Sequence, residues 1–156
     1  MSYLKSNGFK ILISIISIVL VAVLGSVFVN IGNDWFNSLN TPSQWIPNII
    51  IPIVWSVIYI TFGIVLSIWI SRSKVPTSVV VWLIINGILN VLWCLVFFTL
   101  QLTFVGNIVI ILNLIAGIVL FLQFYKYKPI YAYAIAIYPI WLSLATSLNL
   151  ALWILN

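Results

Sequence analysis

Charge is almost absent from this chain, and where it occurs it comes in pairs. Lys5 and Lys10, Arg72 and Lys74, and Lys126 and Lys128 are the six basic residues, and Asp34 is the single acidic one. Around these pairs lie five strongly apolar stretches, at about 10–30, 49–71, 78–100, 104–126 and 129–155, with no charge in their interiors. A helix rises about 1.5 Å per residue and a bilayer core is about 30 Å thick, so each stretch is long enough to cross. None alternates polar and apolar residues as a barrel strand would. Backbone in lipid must satisfy its own amides, so the stretches predict helices. With 65% hydrophobic and 4% charged residues, a water-soluble domain would have no polar exterior. The expected fold is all-α: one integral membrane domain over 1–156, a bundle of five transmembrane helices.

The first stretch follows two lysines, as the apolar core of a signal peptide does. It is longer than the usual 7–15 or so residues of such a core, and no small-x-small cleavage site follows it. It reads as a retained span. With five spans, all three basic pairs fall on one face of the membrane. The loops at 31–48 and 101–103 and the segment after the last span carry no Lys or Arg. The positive-inside rule then places the N-terminus in the cytoplasm and the C-terminus outside.

The residue types that are missing exclude much chemistry. There is no His, and Cys94 is the only cysteine. Imidazole acid/base chemistry, an internal disulfide and a thiolate metal cage are therefore ruled out, and no cofactor or metal is expected. No basic patch of the kind that binds nucleic acid exists. No span interior holds an ionisable group, which argues against a proton-coupled pump and against catalysis by a carboxylate or a serine–histidine pair.

What remains is amide, indole and ring. The one long connection, 31–48, reads IGNDWFNSLNTPSQWIPN. Its Asn and Asp favour turns, and Pro42 and Pro47 block helix continuation. Loops of this length are either lids or disordered. Trp35, Phe36 and Trp45 argue against disorder, leaving a lid over a site or anchorage in the interfacial aromatic belt. Pro52 falls in the first turn of the second span, where it is tolerated. Pro139 lies inside the fifth and predicts a kink beside Trp141.

Helical spacing aligns Asn86, Asn90, Trp93 and Phe97 on the third span. It does the same for Trp55, Tyr59, Phe62 and Leu66 on the second, and for Trp141, Ala145, Leu148 and Leu152 on the fifth. Asn amides in hydrocarbon must face the bundle interior, either tying helices together or offering donors to a ligand. Mid-span indoles beside amides suit a flat, apolar ligand.

These residues carry a family resemblance. Trp35-Phe36-x-x-Leu39-x-x-Pro42-x-x-Trp45-x-Pro47, followed by Pro52-x-x-Trp55-x-x-x-Tyr59-x-x-x-Gly63, resembles the translocator protein/tryptophan-rich sensory protein family, with its W-Y-x-x-L-x-K-P-x-W-x-P-P and W-x-x-x-Y-x-x-x-G. Leu89-Asn90-x-x-Trp93-x-x-x-Phe97-Phe98 is similar to its L-N-x-x-W-S-x-x-F-F. Pro139-x-Trp141, Ala145 and Leu148-Asn149, ending at Asn156, are similar to its last-helix pattern. Thr41 stands where the family has Lys, Asn48 where it has a second Pro, Ile140 where it has Tyr or Phe, and one residue is inserted before Trp45.

The resemblance implies a five-helix bundle, often a homodimer, in a bacterial plasma membrane. It implies a pocket for tetrapyrroles such as protoporphyrin IX and haem, or for isoquinoline-type molecules. By position that pocket is Phe36, Pro47, Trp55, Tyr59, Asn86, Asn90, Trp93, Trp141, Ala145 and Leu148. Trp55 and Asn90 would form hydrogen bonds, and Trp55 and Trp141 would be the catalytic pair in any light-dependent porphyrin degradation. Three functions stay open: a receptor or sensor that binds such ligands and can carry them, a photo-oxidative enzyme, and a small exporter lacking an intramembrane charge. Leu122-x-x-Tyr125-x-x-Lys128 fits a sterol pattern, but interfacial anchoring explains it equally well, and sterol is not expected as a partner.

Because all basic residues share one face, a reporter fused after Asn156 is expected to be active outside the cytoplasm. One inserted between Arg72 and Lys74 is expected to be active within it. Fusion activities measured in cells check both, and a cytoplasmic signal after Asn156 contradicts five spans with this orientation.

Overall fold

The computed structural model describes the backbone of residues 2–43 and 46–156 and the side chains from Asn7 onward, apart from 44 and 45. Trp45 of the loop motif and the Lys5 side chain lie outside the described residues. The elements are α1 (Ser2–Ile31), α2 (Asn33–Ser38), α3 (Ile50–Arg72) and α4 (Thr77–Cys94), which continues into a π-helical turn (Leu95–Thr99). After these come α5 (Thr103–Tyr127), α6 (Pro129–Ile135) and α7 (Ile137–Leu155). Together they make five helices long and apolar enough to span a membrane, with α4 and its π turn forming one and α6 and α7 another. No strand occurs among the described residues. The protein is an all-helical, multi-pass integral membrane protein, as the apolar stretches require.

Two local features differ from the expectation. The start of the 31–48 connection is not irregular: Asn33–Ser38 forms a short helix. The Phe36 N–H donates to the Gly32 carbonyl at 2.9 Å, and Asp34 lies in the first turn, where a negative charge suits the helix dipole. The last span is interrupted at Ala136, about one turn before Pro139, where α6 ends and α7 begins. Pro139 has no N–H for the Ile135 carbonyl, and its ring crowds that same group. The Ala136 N–H instead makes a tightened bond to Tyr133 O at 3.3 Å, and the Ile140 N–H makes a long one to Ala136 O at 3.4 Å. On either side of this interruption α6 packs on α3, with Tyr131 5.5 Å from Trp69, and α7 runs along α5.

The centre of the bundle is α5, packed between α4 and α7, and α1 is peripheral, lying on α3 and α4. Small residues allow the close approaches. A methyl on Gly106 would press the Phe97 ring at 2.9 Å, and one on Gly117 would meet Leu142 at 2.8 Å. The outer faces are aliphatic, with Ile60, Ile64, Ile84, Ile88, Ile115 and Ile140 exposed, and Asn86, Asn90, Asn107, Asn113 and Asn149 of α4, α5 and α7 are buried. This is the arrangement a hydrocarbon solvent dictates.

The inward amides tie the same three helices twice. In one rung the Asn86 Nδ2 of α4 donates to the Asn113 Oδ1 of α5 at 2.9 Å, and the Tyr138 hydroxyl of α7 donates to the Asn86 Oδ1 at 2.7 Å. In the other the Trp93 Nε1 of α4 donates to the Asn149 Oδ1 of α7 at 3.2 Å, and the Asn149 Nδ2 donates to the Asn107 Oδ1 of α5 at 3.0 Å. At 1.5 Å per residue along α4 the rungs are about 10 Å apart. Two rungs set both the rotation and the height of each helix.

Asn113→Ala removes an acceptor from a fully buried rung and is expected to lower stability by about 1–2 kcal/mol. Ser143→Ala, at an exposed residue that bonds only within its own helix, is expected to stay within about 0.5 kcal/mol of the parent. Unfolding in mixed detergent micelles measures the difference.

Candidate ligand-binding site

The last-span stripe becomes one wall of a cavity. Trp141, Ala145, Leu148 and Leu152 line it, with Asn149 beside them. Facing them are Ile51 and Trp55 from α3 and Trp93 at the end of α4. Phe97 and Phe98 come from the π turn, and Phe36 from α2 covers the space. Spacings of three and four residues on α7 put its contributors on one helical face, which is why the wall is continuous.

The π turn decides what faces this wall. The Leu100 N–H donates to Leu95 O at 2.9 Å, five residues back, and the Leu102 N–H donates to Val96 O at 3.1 Å. The wider turn brings both Phe97 and Phe98 into the interior, at 1% and 5% exposed. Single π turns of this kind often mark functional positions in helices. The α2 side chains settle on them, Trp35 5.6 Å from Phe97 edge-to-face and Phe36 5.2 Å from Phe98. The approach requires glycine at position 32, where any Cβ would overlap the Phe98 carbonyl oxygen. The Thr99 hydroxyl donates to Phe28 O at 3.0 Å and pins the end of α1 to the same turn. The chain leaves the turn through Gln101, whose φ of 58° is in the left-handed region.

Six of the ten residues anticipated from the sequence line the cavity: Phe36, Trp55, Trp93, Trp141, Ala145 and Leu148. The other four lie elsewhere. Pro47 is exposed in the loop. Asn86 is held in its rung, and Asn90 is buried between helices, its Oδ1 accepting from the Tyr59 hydroxyl at 3.2 Å. Tyr59 stacks on Trp55 with centroids 5.8 Å apart, but it lines a separate, outward-facing groove between α1 and α3. The structure thus uses Asn86 and Asn90 to tie helices.

Ile51, Phe97, Phe98, Asn149 and Leu152 belong to the wall but not to the anticipated set. Phe97 and Leu152 continue the stripes and were legible from spacing. Phe98 was not, because only the π turn brings it round.

The partly open cavity has a volume of about 40 Å³, room for a few waters and far below the roughly 300–1,000 Å³ of drug-sized sites. Its surface is nearly all ring and aliphatic carbon. Two indoles on it differ in chemistry. The Trp93 N–H is spent on Asn149, whereas the buried Trp141 Nε1–H has no acceptor among the described residues. Such an orphaned donor is costly in an apolar setting and is satisfied by any ligand with an acceptor at that point.

Trp93→Phe and Trp141→Phe remove the same atoms, but only the first breaks a bond. Trp93→Phe is expected to cost about 1–3 kcal/mol more stability than Trp141→Phe. Parallel unfolding curves in one detergent check the difference.

The TspO/MBR family model matches residues 14–154. Protein CrtK of Rhodobacter capsulatus is 27% identical over 126 residues, covering 78% of each chain. Tryptophan-rich protein TspO of Archaeoglobus fulgidus is 28% identical over 152 residues, covering 96% of this chain and 99% of its own. The match to the family spans all five helices and every cavity-lining residue, and with the five-helix architecture it settles the relationship: the chain belongs to the TspO/MBR family.

Proposed function

We propose that this protein is a membrane receptor that binds tetrapyrroles such as protoporphyrin IX, and similar flat apolar molecules, in the cavity between α3, α4 and α7 beneath α2. The observation that carries this reading is the pairing of a ring-lined wall with one unspent donor. Trp55 and Trp93 lie with centroids 6.2 Å apart and tilted by only 31°, so a planar macrocycle could stack against them. The Trp141 N–H would fix its orientation through a ring nitrogen, carbonyl or carboxylate acceptor. Family membership supports a sensing or binding role in the membrane. A macrocycle needs several times the present volume, so binding requires α2 and its rings to lift.

A second reading, light-dependent degradation of the bound porphyrin, is favoured by one feature. Trp55 and Trp141, the indoles expected to be oxidisable partners, both border the same cavity.

One titration tests both readings. Adding protoporphyrin IX to purified protein in the dark is expected to shift the porphyrin absorbance saturably. Trp55→Ala is expected to weaken binding roughly 5- to 150-fold, the equivalent of about 1–3 kcal/mol. Trp153, exposed and packed on Phe104 away from the cavity, serves as control, and its Ala variant is expected to bind like the parent. Under light and oxygen, an enzyme would bleach bound porphyrin faster than the Trp55→Phe/Trp141→Phe variant does. Equal bleaching rates leave a binder, and the absence of a saturable shift in the parent removes both readings.

A further inference from the structure

The roof of the cavity is fastened in two chemically different ways. Its first part is held by ring packing, through Trp35 on Phe97 and Phe36 on Phe98. Just beyond, after Leu39 has packed against the same cluster, the fastening becomes polar. The Asn40 N–H donates to the Asn156 Oδ1 at 2.8 Å, and the Asn156 Nδ2 donates back to the Asn40 carbonyl at 3.0 Å. One side-chain amide thus reads both peptide groups of a single residue 116 positions away, as a neighbouring strand would.

The same Nδ2 donates to the Leu152 carbonyl at 2.9 Å, one turn back on α7. Leu152 is 1% exposed and is itself part of the cavity wall. Asn156 therefore joins roof to wall directly. Both amide hydrogens and the oxygen are used, a set that only the one-methylene-longer Gln also carries. Asp lacks the two donors, and Ala lacks everything.

Capping the end of α7 needs only the bond to Leu152. The reciprocal pair with Asn40 does something else: it holds the roof down at a site exposed to water, where such bonds break and re-form readily. The ring contacts beneath are apolar and less directional than a hydrogen bond. The amide pair has a single geometry and releases all at once.

The geometry points to Asn156 as a positioning residue, a latch on Asn40 that holds the roof of the cavity closed and sets the rate at which the cavity opens. Regulation of ligand exchange by this latch rests on the binding role proposed above. The opening rate itself does not.

The test therefore reads opening without a ligand. In full-length protein with Cys94→Ser, Ala145→Cys places a thiol on the cavity wall, and its rate of reaction with an apolar maleimide reports opening. Adding Asn156→Ala is expected to raise that rate roughly 5- to 30-fold, the loss of two partly exposed hydrogen bonds. Asn156→Asp, which keeps the acceptor for the Asn40 N–H, is expected to fall between. Ser147→Ala, exposed on α7, is expected to leave it unchanged. Hydrogen exchange at the Asn40 amide is expected to quicken in the same order.

With porphyrin, whose binding requires α2 to lift and therefore the latch to break, Asn156→Ala is expected to speed association and to tighten binding by about the same factor, with little change in dissociation. An unchanged labelling rate in Asn156→Ala overturns the latch, including the case in which Asn40 exchanges faster, since opening then follows another route. If the parent binds no porphyrin while labelling responds as expected, the binding role fails and the latch stands.

Discussion

Hydrocarbon offers no hydrogen bonds, so the buried Asn side chains of α4, α5 and α7 take hydrogen-bond partners inside the bundle. The consequence is visible in the two rungs, Asn86–Asn113–Tyr138 and Trp93–Asn149–Asn107, each joining α4, α5 and α7. Aliphatic packing against lipid-like neighbours has little to choose between one helix rotation and another. A hydrogen-bonded rung has one geometry, and two rungs leave the three helices no freedom to rotate or slide. The cavity depends on this arrangement, because Trp93 belongs to a rung and to the cavity wall at once.

The irregular places in the backbone lie where the site is shaped. The π turn rotates Phe97 and Phe98 inward, Gly32 lets α2 come down onto that turn, and Gln101 takes the left-handed conformation that ends it. The helix is interrupted at Ala136, two residues before Tyr138 enters its rung. A regular five-helix bundle of this composition would be as apolar and as well packed, but it would lack this ring-lined space. The deviations are placed where a ligand would need the wall to curve.

The same cavity is small and only partly covered, and its cover has two layers of different chemistry. Rings beneath α2 seal it by contact area, and the amide pair at Asn40 and Asn156 fixes the position of the chain above them. A planar macrocycle would exchange one set of ring contacts for another, so the apolar cost of opening is largely returned on binding. The amide pair sits outside that exchange, so the cost of breaking it falls on opening and on binding alike.

Much of this was legible in the chain before any coordinates. Six basic residues in three pairs and five apolar stretches require five membrane helices, because length against bilayer thickness and the cost of buried charge leave no other solution. Stripes at three- and four-residue spacing identified the inward faces, including the α7 wall from Trp141 to Leu152, because that period is the helix's own. The family pattern added the likeness of the loop and its tryptophans. What spacing along single helices could not decide was how the faces meet. Asn86 and Asn90 share a stripe with Trp93, yet they tie helices while Trp93 borders the cavity, since the partner of each is set by the height at which α5, α7 and α3 pass. Tyr59 follows Trp55 by one turn, yet it looks out onto the groove beside α1. Phe98 enters only through a π turn, and Asn156 reaches Asn40 only because the chain's two distant segments end at the same level. Such pairings across many residues arise from the packing of helices against one another, and no local period encodes them.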